Sequence, residues 1–115
     1  MTSNASSTSF NRHPFRKMRE TIRVCQAQCA LLLGSNVFEW PRQDYAMLYI
    51  MNSMVRQFDN PTYAQYVGAL GAYLRFEKRL VDMLPEGEFK TTTSAEWAKV
   101  SKGYEDLLEV QPLKQ

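Results

Sequence analysis

The chain has little of what metal and disulfide sites are built from: two cysteines and one histidine in 115 residues. That scarcity leaves no material for a four-ligand metal centre or a cysteine framework. Long apolar runs are missing too, and nothing approaches the roughly 18 apolar residues that argue for a membrane span. The opening stretch MTSNASSTS is polar and lacks an apolar h-region, so no secretory signal is read there. No segment alternates with a period of two for long enough to argue a strand. There is also no phosphate loop, no G-x-S-x-G elbow, no H-E-x-x-H pair and no convincing pair of carboxylates. The expectation from these absences is a protein with no catalytic residues, no cofactor and no metal, and with no membrane partner.

What remains is a balance of 44% hydrophobic and 23% charged residues, which suits a soluble globular domain. Residues 1–12 are rich in Ser, Thr and Asn and read as a disordered tail, with residues 13–115 as a single helical domain. Helix one is expected from Pro14, a good first helical residue, to Leu33, with Gly34 closing it at the C′ position. Its buried stripe is Met18, Ile22, Cys25, Cys29 and Leu32, at helical spacing. Helix two should run from near Pro41 to near Phe58, with Met47, Met51, Met54 and Phe58 facing the core. The turn Asp59-Asn60-Pro61 reads as the stop of helix two and the cap of helix three, Asn60 being the N-cap. Helix three runs to about Leu84. A last helix opens at Thr93 with Glu96 in a capping box and carries Trp97, Val100, Tyr104, Leu107 and Leu108 on one side. The class is all-α, a compact four-helix bundle with a disordered N-terminal tail.

A few residues stand out from this pattern. Cys25 and Cys29 share a face, but that face is the apolar stripe, so they read as buried core thiols suited to a reducing, cytoplasmic setting. His13 has no second histidine beside it and reads as a capping or solvated residue. Glu77 falls among Leu70, Leu74 and Val81 on an apolar side of helix three, either buried with a basic partner or placed where the core ends. Gly68 and Gly71 interrupt the same helix, and Ala64, Gly68 and Ala72 make a small-residue stripe open to close helix crossing.

Charge is distributed unevenly. Residues 1–60 hold seven Lys/Arg against four Asp/Glu, whereas residues 86–115 hold four against six. Arg12, Arg16, Lys17, Arg19 and Arg23 cluster with only Glu20 among them, which suggests an anionic partner for the front of the molecule. Arg16, Arg19 and Arg23 lie off the core stripe of helix one at steps of three and four. On helix two, Arg42, Tyr45, Tyr49, Asn52 and Arg56 form another line, cationic at both ends with two aromatic rings and an amide between. Arg75 and Arg79 extend the small-residue line of helix three. Arginine suits phosphate and tyrosine suits unpaired bases, so these ten positions are the candidate nucleic-acid contacts.

The run Tyr66-Val67-Gly68-Ala69-Leu70-Gly71-Ala72-Tyr73-Leu74-Arg75-Phe76 resembles the late helix of the small helical subunits of CRISPR effector complexes, particularly those of type III. There too an aromatic, an Ala-Leu pair, an Ala-Tyr pair and a basic-aromatic pair follow in this order, and Phe15-Arg16-Lys17-Met18-Arg19 is similar in organisation upstream. The resemblance implies a non-catalytic subunit of an antiviral, RNA-guided ribonucleoprotein. Several copies would stack against one another and against other subunits, and basic side chains would hold RNA or single-stranded DNA by its backbone. By position the motif carries over only Arg75; the other arginines rest on the stripes alone. The acidic last helix would then meet a neighbour's basic face.

Two other readings bear on the same residues. Six Tyr, six Phe, two Trp and six Met would equally anchor a small helical adaptor or inhibitor to one protein partner. A helix-turn-helix DNA reader fits less well, because helix three is too apolar all round to expose a polar face to a groove.

Overall fold

A computed structural model describes residues 2–36 and 38–110, with side chains described from Phe15 onward and those of residues 107, 109 and 110 left out. Four helices follow in order: α1 (Thr2–Leu33), α2 (Arg42–Arg56), α3 (Tyr63–Met83) and α4 (Glu88–Val110). No strand occurs among the described residues, and the all-α class follows. The bounds of α1 run through the stretch expected as a tail, whose side chains lie outside the described residues, as does the side chain of Leu107.

The centre of the bundle is α3, packed by α1 on one flank and α4 on another. That position explains why its sequence is apolar around so much of its circumference: Tyr66, Leu70, Tyr73, Leu74, Phe76, Leu80 and Val81 are all buried. The stripe read from helix one faces it as expected, with Met18, Ile22, Cys25, Cys29 and Leu32 at most 3% exposed. Burial pushes the Cys25 thiol up to about 12, so the neutral form is the one the core holds.

A helix leaves its last carbonyls without intrahelical donors, and α1 closes differently from the expected left-handed glycine. Gly34 does not take that conformation; among the described residues, positive φ belongs to Asn60 at 53° and Gly87 at 153°. Donors from the next segment supply the need instead. Leu32 O accepts from Trp40 Nε1 at 2.8 Å and from Ser35 Oγ at 2.8 Å, and Leu33 O accepts from Tyr45 Oη at 2.9 Å.

These bonds fix the rotation of α2 and split the expected methionine face, of which Met51 and Phe58 pack against the core and Met47 and Met54 do not. With Trp40 and Tyr45 pinned to the end of α1, Asp44 and Leu48 turn inward, followed by half-buried Met51 and Val55. Met47 and Met54 are left 45% and 60% exposed. Asp44 is fully buried and pairs with Arg79 of α3, which is the non-local partner that lets a carboxylate occupy a core position.

Two helix starts also differ from expectation. The cap of α3 is Thr62, not Asn60: its hydroxyl accepts from Gln65 N at 3.1 Å while Gln65 Oε1 accepts from Thr62 N at 2.8 Å. Asn60 instead takes the left-handed turn conformation that asparagine tolerates better than most residues. Leu84 is extended ahead of Pro85, as a residue before proline prefers. Gly87 then makes the sharp turn and α4 starts at Glu88, five residues earlier than the Thr93 box predicts. Thr93 lies inside the helix, its hydroxyl donating back to Phe89 O at 2.7 Å.

Candidate nucleic-acid interface

The α2–α3 turn packs against the middle of α1, and that junction gathers part of the predicted cationic set. Arg19 and Arg23, one turn apart on α1, meet Arg56 from the last turn of α2 around a pocket of about 260 Å³. Ile22, Val55, Phe58 and Tyr66 supply its apolar lining, and Gln26 adds an amide one turn beyond Arg23. Among the described residues none of the three arginines has an acidic partner. Arg56 donates only to Ser53 Oγ, at 3.2 Å. Its charge also offsets the carbonyl end of α2, which explains one cation at this place but not three. Like charges so gathered repel, and an anion between them removes that cost.

The pocket is tied to the core through a side-chain chain that crosses three helices. Gln26 Nε2 donates to Tyr73 Oη at 2.9 Å, and Tyr73 Oη donates to Asn52 Oδ1 at 2.6 Å. Burial pushes the Tyr73 phenol up, with the Gln26 bond and the nearby Arg56 charge acting the other way.

The other predicted positions do not join this cluster. Arg16 is exposed one turn before Arg19, on the same line but outside the pocket. Arg42 lies at the opposite end of α2, about 21 Å from Arg56 at 1.5 Å per residue. Tyr45 and Asn52 are committed to Leu33 O and Tyr73. Tyr49 is 69% exposed and joins no pocket with the arginines. Arg79 is engaged by Asp44.

Arg75 does not continue the Gly68 line either. Its guanidinium lies over Gly71 beside the Tyr104 hydroxyl, where an added Cβ would stand 3.3 Å from Arg75 Nη1 and 2.9 Å from Tyr104 Oη. Gly71 therefore marks the close approach of α4, whereas a Cβ on Gly68 would meet nothing within 4 Å.

Gln26 was not predicted. It continues the Arg16, Arg19, Arg23 line at the next step of three, so the spacing contained it.

Two further features bear on binding. An apolar groove of about 250 Å³ opens between α2 and α3, with Met54, Phe58, Ala64 and Gly68 among its lining. On the neighbouring side of α2 Met47 and Ile50 stand 45% and 51% exposed. Glu77, by contrast, is 1% exposed, its Oε1 has no hydrogen-bond partner, and among the described residues it pairs with no basic side chain, so of its two expected settings neither the salt bridge nor the core's edge is the one found. Burial, with Glu96 adding to it, pushes its carboxyl up to about 7.

Among the described residues, no helix is long and apolar enough to cross a membrane. No family model, curated protein or solved structure matches the chain.

Proposed function

We propose that this chain is a non-catalytic, nucleic-acid-binding subunit that holds the sugar-phosphate backbone through Arg19, Arg23 and Arg56. The observation that supports the reading is that three arginines from two helices, none with an acidic partner among the described residues, line one pocket. Such contacts are electrostatic and independent of sequence, since phosphates position a nucleic acid while base pairing or base contacts specify it. The resemblance of residues 66–76 to the small subunits of CRISPR effector complexes extends the reading to a cytoplasmic, RNA-guided antiviral ribonucleoprotein with several stacked copies. In that setting the exposed apolar side of α2 is where neighbouring subunits dock.

That same α2 surface favours a second reading, a small adaptor or inhibitor that grips one protein partner. Exposed Met47, Ile50 and Met54 on one side of the helix are more apolar area than a solitary surface helix needs to show. Native mass spectrometry of the tagged chain purified from its own cells, with and without nuclease, separates the two. The subunit reading predicts a large RNA-containing assembly with several copies. A nuclease-insensitive complex with one protein would replace it with the adaptor.

A further inference from the structure

We infer that the pocket between Arg19, Arg23 and Arg56 takes an unstacked base of a single-stranded nucleic acid, the arginines holding the phosphates on either side. This rests on the backbone-binding reading above and adds to it the strandedness of the ligand and the insertion of a base.

Phosphate contacts alone do not call for such a pocket. A phosphate is strongly hydrated, and stripping its water against Ile22, Val55 and Phe58 would cost free energy that those side chains cannot return. A surface patch of arginines would serve a backbone better. The lining here is mixed, with Ile22, Val55, Phe58 and Tyr66 beside three arginines and an amide. A nucleobase has the matching form: flat apolar faces and a polar edge.

Gln26 fits the same ligand. Its Nε2 is committed to Tyr73 at 2.9 Å, which leaves the carbonyl oxygen to accept from an exocyclic amino group. The arginines donate, so they suit base carbonyls and ring nitrogens as well as phosphate oxygens. A paired, stacked base cannot enter without first leaving its duplex, which costs a few kcal/mol by itself. The ligand is accordingly single-stranded, and the base is held by shape and edge rather than by a sequence code.

The test compares three probes on the native chain by fluorescence anisotropy at low salt. These are a short single-stranded RNA of mixed sequence, an abasic oligonucleotide with the same number of phosphates, and the duplex form of the RNA. The single strand should bind about tenfold or more tighter than the abasic chain and the duplex, given what one sequestered base contributes. Val55→Phe, which fills the pocket, should bring the single-strand affinity down to that of the abasic probe. Equal affinity for single-stranded and abasic probes would overturn the base pocket while leaving the backbone reading in place. An absence of salt-sensitive binding to all three would overturn both. If Val55→Phe fails to fold, the abasic comparison on the native chain decides alone.

Discussion

Tyr73 donates its phenolic hydrogen to Asn52 at 2.6 Å, joining the core of α3 to the inner side of α2 directly behind the arginine pocket. Gln26 closes the link from α1 by donating to the same oxygen. One core side chain of α3 thus links the two helices that carry Arg19, Arg23 and Arg56. Tyr73→Phe keeps the ring but strands both amides. It should lower stability by about 1–3 kcal/mol, read from urea unfolding. An unchanged midpoint would mean that the amides find other partners and that the link does not set the pocket.

The Asp44–Arg79 pair makes a different kind of prediction. Asp44 is fully buried while Arg79 is half in water, so removing the cation strands a core carboxylate. Arg79→Met should cost about 3 kcal/mol, at the lower end of the range for broken buried pairs because Arg79 is partly solvated. Adding Asp44→Leu to that variant should recover most of the loss. A double variant no better than the single one would show that the carboxylate is satisfied by other means.

Glu77 gives the molecule a pH dependence of unusual sign. Its folded-state pKa of about 7 lies above the ordinary carboxyl value of 4.5, so between these values the folded chain binds more protons than the unfolded one. The stability it contributes is present below about pH 4.5 and is lost as pH rises to about 7, a difference of about 3 kcal/mol. Glu77→Gln should therefore flatten the fall in stability across that window. Parallel pH profiles for the two proteins would contradict the burial of an unpaired carboxyl.

The two glycines of α3 should respond oppositely to alanine. Gly68→Ala meets open space and should stabilise by about 1 kcal/mol through helix propensity and unfolded-state entropy. Gly71→Ala places a methyl 2.9 Å from the Tyr104 hydroxyl and must displace it, so it should gain less or lose. Equal gains in thermal unfolding would mean that α4 does not approach α3 there.

How far the sequence could be read follows from which interactions are local. The stripe from Met18 to Leu32 is a property of one helix, and its period alone located the core face. Glu77 stood out for the same reason, as a charge at an apolar phase. The face of α2 was not a local property: bonds from Trp40 and Tyr45 to the end of α1 chose its rotation, and Asp44 became a core residue through a partner 35 positions away. The Thr62–Gln65 box was legible but hidden by the more conspicuous Asn60-Pro61 pair. Of the cationic stripes, each helix supplied its own line, yet no line contained the pocket. Arg19, Arg23 and Arg56 meet only because the α2–α3 turn returns to the middle of α1.

The most direct test of backbone binding is the salt dependence of single-stranded RNA affinity for the native chain and for the triple variant Arg19→Gln, Arg23→Gln, Arg56→Gln. Each phosphate neutralised on a single strand contributes about 0.7 to the slope of log affinity against log salt. The native chain should show a steep slope and the triple variant one shallower by about 2, with weaker binding at low salt and unchanged helicity by circular dichroism. Identical slopes and affinities for the two proteins would contradict the assignment of these arginines to the backbone.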